Sequence, residues 1–234
     1  MSKFIAEESF FELFPDAKLG VLLIKNMKNG ESPDEIKDLL IESNNEAHSH
    51  ITNPKFSDNP IIKEWREAYQ KFKTKKKARA SIEALLKRVE KDNIVGPINT
   101  LVDIYNSASL KYGLPCGAED IDSFVGDLRL TITDGDDEFY AIGTEENEPT
   151  KEGELCYKDD AGAVCRCWNW RDGHRTRIKD DTENTFLIME ILNDDRLETL
   201  EKALSFIADL SEKYLDADVE KYILDKDNPE INLK

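Results

Sequence analysis

The side chains with the greatest chemical potential lie in residues 161–178, AGAVCRCWNWRDGHRTRI. The pattern of residues 163–170 predicts a strand. Successive side chains of a strand point to opposite faces, so Arg166, Trp168 and Trp170 would share one face and Asn169 would lie on the other. Such a face could bind a planar, negatively charged ligand, and it could equally be a buried core face.

This predicted strand ends in a crowded polar turn. Asp172 and Gly173 break the strand, and a run of polar and cationic residues follows at once: His174, Arg175, Thr176 and Arg177. RNA fits such a segment, because arginine pairs with phosphate and bases stack on aromatic side chains. The alternative is a core strand with two buried tryptophans and a solvated basic turn.

The net charge limits the kind of nucleic-acid binding to expect. The formal charge is −17 at pH 7, and an acidic chain repels phosphate at long range. Residues 71–91, however, hold nine Lys and Arg residues against two Glu. This island fits a protein that meets RNA at one place, and it also fits a solvated helix face. DNA is not expected as a partner. The candidate phosphate-binding residues are Lys73, Lys75, Lys76, Lys77 and Arg79.

Composition also predicts the compartment and the absence of cofactors. The first residues lack the basic-then-apolar layout of a secretory signal, and no apolar run reaches the roughly 18 residues that span a bilayer. We therefore expect a cytoplasmic protein with no membrane association. Cys156, Cys165, Cys167 and His174 offer metal-binding atoms, but no Cys-x-x-Cys pair is present. Buried free thiols are expected, with no metal and no cofactor.

Hydrophobic periodicity predicts an α+β fold, since helices are followed by hairpins and then by helices again. No repeat or linker interrupts the pattern, so residues 1–234 are expected to form a single domain. The predicted helices are 33–43, 60–72, 81–89, 99–112, 182–192, 197–214 and 219–224. The predicted strands are 18–27, 128–133, 138–142, 155–158 and 163–170.

The predicted helix 99–112 carries Asp103 and Asn106 on a polar stripe of its own. It leads into the turn Gly113-Leu114-Pro115 and then into Asp120-Ile121-Asp122. With this series of motifs the chain resembles the B3/4 domain of the phenylalanyl-tRNA synthetase β subunit. The runs 78–89 and 165–178 are similar to the free-standing version of that domain.

The resemblance covers about residues 20–192, and it implies a B3/4-like core of layered sheets and helices. Residues 193–234 would then form an acidic helical extension. In the synthetase this domain hydrolyses tRNA that carries the wrong amino acid, so a free-standing copy is expected to act in trans on aminoacyl-tRNA. The chain has no adenylation motif and is not expected to be a complete phenylalanine–tRNA ligase.

The same resemblance suggests roles for individual residues. Hydrolysis of an aminoacyl ester needs a held ester, a placed water and stabilisation of the developing oxyanion. Histidine is the side chain whose ordinary pKa suits acid–base work near neutrality, and His174 is the histidine of this segment. The candidate catalytic residues are His174, Asn169 and Thr176. The candidate substrate-binding residues are Asp103, Asn106, Arg166, Trp168, Trp170 and Arg171.

One departure from the synthetase pattern leaves the function open. The synthetase turn commonly ends in histidine, whereas Gly117 stands at the corresponding position here. The pocket is expected to persist between the helix with Asp103 and the turn after Arg166, with altered preference or chemistry. A non-catalytic RNA-binding module and a domain that binds an amino acid or another small molecule remain as alternatives.

Overall fold

The computed structural model describes residues 2–234. Its α-helices are α1 (Glu8–Leu13), α2 (Asp34–Glu46), α3 (Pro60–Ala68), α4 (Ser81–Glu90), α5 (Thr100–Tyr112) and α6 (Leu197–Leu215). Its strands are β1 (Lys3–Ala6), β2 (Lys18–Lys25), β3 (Cys116–Asp120), β4 (Leu128–Ile132), β5 (Leu155–Asp159), β6 (Gly162–Arg166), β7 (Arg171–Asp172), β8 (Thr185–Ile191), β9 (Asp218–Leu224) and β10 (Glu230–Asn232). The predicted α+β class is confirmed.

The strands form two sheets. The larger has the order β10-β1-β4-β5-β6-β7, and the smaller has the order β3-β8-β2-β9. Every pairing is antiparallel except that of β1 with β4. Strands β9 and β10 therefore bring the C-terminal residues into both sheets, and α6 is the helical part of this segment.

The smaller sheet is covered on both faces, as the alternation along β2 shows. Leu19, Val21 and Leu23 belong to the core cluster shared with the larger sheet, whereas Leu22 and Ile24 pack in the cluster that includes α2, α5 and α6. The result is a layer of helices, the four-stranded sheet, and then the six-stranded sheet. The intersheet layer positions the site described below.

Gly20 allows α6 to lie close against β2. A Cβ atom at this position would stand 2.7 Å from Leu204 Cδ1 and 2.8 Å from Leu200 Cδ1, which real Cβ contacts essentially never show. Both leucines are fully buried and cannot swing away without opening the core. The missing side chain is therefore a packing requirement of this helix–strand contact.

Two predicted helices are strands. Residues 182–192 contain the central strand β8, all seven residues of which are buried, and residues 219–224 belong to β9. Strand β8 is a short apolar run buried on both faces, so it has no alternation and resembles a buried helix in sequence, whereas β9 is a mostly exposed edge strand. Residues 138–142, predicted as a strand, make only isolated bridges, Tyr140 with Asn147 and Ala141 with Gly173.

The predicted strand 163–170 is also too long. Strand β6 ends at Arg166, and Cys167 and Trp168 then have φ values of 47° and 63°. A left-handed conformation at two consecutive non-glycine residues reverses the chain. The expected sharing of one face by Arg166 and both tryptophans is therefore wrong.

Candidate functional site

A pocket of about 450 Å³, its open mouth included, lies between the two sheets. We call it the intersheet pocket. Strands β3 and β8 form one wall, and β4 to β7 with the turn after β6 form the other. The polar residues that line it and matter most for its chemistry are Glu119, Asn169, Trp170, Asp172 and Glu190.

Strand periodicity explains why two glutamates face this space. On β8, Phe186 and Ile188 pack toward the larger sheet, and Glu190 continues the same alternation. On β3, Gly117 and Glu119 share the face opposite to Cys116 and Ala118 in the helix-covered cluster. A carboxyl from each strand is thereby carried into a mostly apolar layer.

The left-handed turn at Cys167 and Trp168 directs the Trp168 side chain into the core. Its ring lies 4.7 Å from Phe14, 5.0 Å from Trp65 and 5.4 Å from Phe10, measured between centroids, and it is fully buried. Trp168 is therefore a core residue rather than a stacking surface for a ligand. Burial of this large aromatic side chain offsets the unfavourable backbone conformation.

Arg166 is committed to a buried ion pair. Its Nε and Nη2 atoms donate to Glu154 Oε1 at 2.9 Å and Oε2 at 2.7 Å, and Nη1 donates to the Glu148 carbonyl at 2.6 Å. The amide of Cys167 also donates to Glu154 Oε1, at 3.0 Å. This fork-to-fork pair fixes the start of the turn and leaves Arg166 little capacity for a ligand.

A buried hydrogen-bond network links Asn169 to Glu190. Asn169 Nδ2 donates to Glu190 Oε2 at 3.2 Å, and the Tyr157 hydroxyl donates to Glu190 Oε1 at 2.7 Å. The Tyr69 hydroxyl lies 3.0 Å from Asn169 Oδ1. Burial raises the pKa of Glu190 to about 7, although the donors Tyr157 and Asn169 oppose the rise. Glu190 is thus a carboxyl that can exchange a proton near neutrality.

Glu119 and Asp172 complete the acidic lining. Glu119 is 5% exposed, and its Oε2 atom has no hydrogen-bond partner within residues 2–234. Burial, and then the charge of Asp172, hold the pKa of Glu119 well above its usual range, while Thr176 and Arg175 offset part of the rise. Burial likewise raises the pKa of Asp172, which is half-buried.

No residue of α5, the helix predicted to border the pocket, lines it. Asp103 on α5 is fully buried, where it accepts a hydrogen bond from the Ser32 hydroxyl at 2.5 Å and one from the Ile98 amide at 2.8 Å. Asp103 therefore ties the segments before α2 and α5 together. Asn106 is half-buried and lies outside the pocket lining.

The three remaining polar candidates take different positions. His174 is exposed and does not line the pocket; its backbone amide donates to the Tyr140 carbonyl at 2.7 Å. Thr176 is buried next to the pocket wall, beside Glu119. Arg171 is exposed, with its guanidinium 5.7 Å from the ring centroid of Trp170. Of the predicted residues, Asn169 and Trp170 therefore line the pocket directly.

The basic segment, residues 71–91, contacts the turn after β6, residues 167–170, which we call the pocket turn. The Lys75 amide donates to Cys167 Sγ at 3.3 Å, and the Ser81 amide donates to the Asn169 carbonyl at 3.1 Å. Lys75 forms an ion pair with Glu148 at 2.5 Å. Lys77 and Arg79 line an adjacent open groove, and Lys73 and Lys76 are exposed. The backbone of this basic segment therefore contacts the turn that lines the pocket, and its cationic side chains lie on the adjacent surface.

Three pocket carboxyls escaped prediction: Glu119, Asp172 and Glu190. Glu190 interrupts the apolar run TFLIMEIL, and a charged residue inside such a run is the one signal that marks it in the sequence.

All four cysteines are free and buried, which confirms the prediction of buried free thiols. Within residues 2–234, no group of three or more His, Cys, Asp or Glu side chains is arranged to hold a metal ion. No helix in the same part of the chain is long and apolar enough to cross a membrane.

The family model for the B3/4 domain matches residues 64–224, which is more than half of the chain. The chain belongs to the B3/4 domain family. One similar solved structure is an N-terminal fragment of the phenylalanyl-tRNA synthetase β subunit from Pyrococcus horikoshii, with 12% identity and a TM-score of 0.43. The match covers 97% of this chain and 53% of that fragment. No curated protein matches the chain.

Proposed function

We propose that this B3/4 protein binds aminoacyl-tRNA and hydrolyses the ester of a wrong amino acid in trans. The observation that carries the proposal is the contact between the basic segment and the pocket turn, through Ser81 and Asn169. A tRNA end held by the lysines would place its aminoacyl group at the mouth of the intersheet pocket. The resemblance to the synthetase β subunit supplies the reaction class.

The pocket offers two groups suited to ester hydrolysis. Glu190, with a pKa of about 7, can accept a proton from an attacking water at neutral pH. Asn169 is hydrogen-bonded to it and can orient a polar group of the ester. An aminoacyl ester is already activated, so placement of the water and stabilisation of charge are sufficient tasks for these residues.

The local basic surface is proposed to overcome the acidic total charge. Lys73, Lys76 and Lys77 are exposed and would neutralise phosphates, releasing counterions. Affinity for tRNA should therefore fall as salt rises, even though the chain carries −17 charges overall. The same local attraction would hold an RNA end beside the pocket.

The decisive experiment is deacylation of a panel of mischarged tRNAs by the parent protein and by two triple variants. Lys75, Lys76 and Lys77 are changed to Glu in one, and Lys202, Lys213 and Lys226, exposed lysines far along the chain, are changed to Glu in the other. The first variant should bind tRNA at least about tenfold more weakly, and the matched control should bind with less change.

Three results separate the possible functions. RNA binding without deacylation of any charged tRNA would indicate a non-catalytic RNA-binding module. Equal tRNA affinity in both triple variants would refute the proposed role of the basic segment. Absence of salt-dependent RNA binding, together with binding of a free amino acid, would favour a small-molecule domain.

A further inference from the structure

The walls of the intersheet pocket have an unbalanced charge. Glu119, Asp172 and Glu190 line it, and no Lys, Arg or His side chain does so within residues 2–234. Two nearby guanidinium groups, those of Arg175 and Arg166, are committed elsewhere. Arg175 donates to both carboxylate oxygens of Asp159, at 2.6 and 2.9 Å, and Arg166 is paired with Glu154. Within residues 2–234, no cationic side chain therefore lines the pocket beside these acids, although the charge of Arg175 lowers the pKa of Glu119 from outside the lining.

The hydrogen-bonding capacity of Glu190 is used, whereas one oxygen of Glu119 is not paired. Glu190 accepts hydrogen bonds at both oxygens, from Tyr157 and from Asn169. Glu119 is only 5% exposed, and its Oε2 atom has no partner at hydrogen-bonding geometry within residues 2–234, although the Thr176 hydroxyl lies close enough to lower the pKa of this side chain. A buried polar atom left unpaired is costly, and a ligand that donates to it removes that cost. Glu119 thus points to a ligand with a hydrogen-bond donor.

The rest of the lining indicates the shape of that ligand. Val164, Phe186 and Ile188 provide apolar walls next to Glu119 and Asp172. A methylene stem packs well on such walls, and an ammonium group carries three donors and one positive charge. Amino acids with an alkylammonium side chain have both features, whereas their neutral isosteres lack the donors and the charge.

We propose that Glu119 and Asp172 form a site for a primary ammonium group at the end of an aliphatic side chain, which makes lysine-like aminoacyl groups the preferred substrates. The aminoacyl part of this inference rests on the proposed function. The ammonium site itself can be tested without RNA, because free amino-acid amides present the same side chains and have no ester to hydrolyse.

The test compares L-lysinamide with L-norleucinamide by isothermal titration calorimetry. Both carry an α-ammonium group and a similar aliphatic stem, so they differ mainly in the terminal ammonium. We expect the parent protein to bind lysinamide at least about tenfold more tightly, a difference of about 1.4 kcal/mol. Equal affinities, or no binding of lysinamide, would overturn the proposal.

Glu119→Gln and Asp172→Asn should each reduce the preference for lysinamide several-fold, with Glu212→Gln on the exposed face of α6 as the matched control. Gln and Asn preserve shape, and a circular dichroism melt establishes that each variant is folded. If folded variants of both pocket acids keep the full preference, the ammonium lies elsewhere and the assignment is wrong.

A proton readout distinguishes an ion pair from a neutral hydrogen bond. Burial and the negative charges of Asp172 and Asp120 raise the pKa of Glu119, and the positive charge of Arg175 opposes the rise. Binding of an ammonium should therefore release protons, which calorimetry in buffers of different ionisation enthalpy detects. Tighter binding of L-glutaminamide than of lysinamide would show that a protonated Glu119 binds neutral groups, and would refute the proposal.

The two proposals can fail separately. A lysinamide preference without deacylation of any mischarged tRNA would leave the ammonium site standing and remove the editing function. Hydrolysis confined to neutral aminoacyl groups, together with equal binding of lysinamide and norleucinamide, would support the editing function and refute the ammonium site.

Discussion

Replacement of Glu190 by Gln should remove a pH-dependent loss of stability. The folded protein holds this carboxyl at a pKa of about 7, against 4.5 in the unfolded chain. Between pH 4.5 and about pH 7 the folded state binds more protons than the unfolded chain. The stabilisation from the protonated Glu190 therefore falls as the pH rises, and it is lost above about pH 7. One pKa unit corresponds to about 1.4 kcal/mol, so this shift corresponds to about 3 kcal/mol.

The geometry of the network explains why Gln is tolerated. The Tyr69 hydroxyl has one proton and two acceptors in reach, the Cys167 carbonyl at 2.8 Å and Asn169 Oδ1 at 3.0 Å. If the Asn169 amide rotates, its Nδ2 donates to the Tyr69 oxygen and its Oδ1 accepts from a Gln amide at position 190. Tyr157 still donates to the remaining oxygen, so Tyr69, Tyr157, Asn169 and the new amide each keep a hydrogen bond.

Urea denaturation at pH 5 and pH 8 measures this effect. The stability advantage of Glu190→Gln over the parent should grow by about 2–3 kcal/mol between the two pH values. Glu212→Gln, at an exposed position, should follow the parent at both. An advantage that does not change with pH would show that Glu190 does not titrate in this range. A variant that is strongly destabilised at pH 5 would refute the rotated-amide network.

Three further predictions test the surroundings of the pocket. Arg166→Met should lower the free energy of unfolding by about 3–5 kcal/mol in urea titrations, because Glu154 would be left buried without its partner; a loss under 1 kcal/mol would contradict this role. Asn169→Ala should slow deacylation about tenfold or more, roughly 1.4 kcal/mol in the barrier, whereas exposed His174→Ala should leave the rate nearly unchanged. The opposite ranking in single-turnover assays would move the chemistry to His174. Limited proteolysis should yield no pair of stable halves, since β9 and β10 join both sheets; two protected fragments would disprove a single domain.

Local patterns predicted much of the fold. Helices α2 to α5 and strands β2, β4 and β5 begin and end near the predicted residues, because their periodicity and their Gly and Pro boundaries act locally. The series of motifs from the α5 helix to the turn after β6 was sufficient to indicate the B3/4 family. The sequence by itself therefore determined the fold class, the family and the position of the basic segment.

Tertiary packing decided the site. Glu119, Asp172 and Glu190 are distant in sequence. They meet because β3 and β8 are neighbours in the smaller sheet and β7 lies in the larger sheet that faces it. Trp168 is drawn into the aromatic core, which reverses the chain after Arg166 and brings Asn169 toward the pocket. Burial between two sheets then raises the pKa of Glu190, a property that depends on the surrounding dielectric and not on residue type.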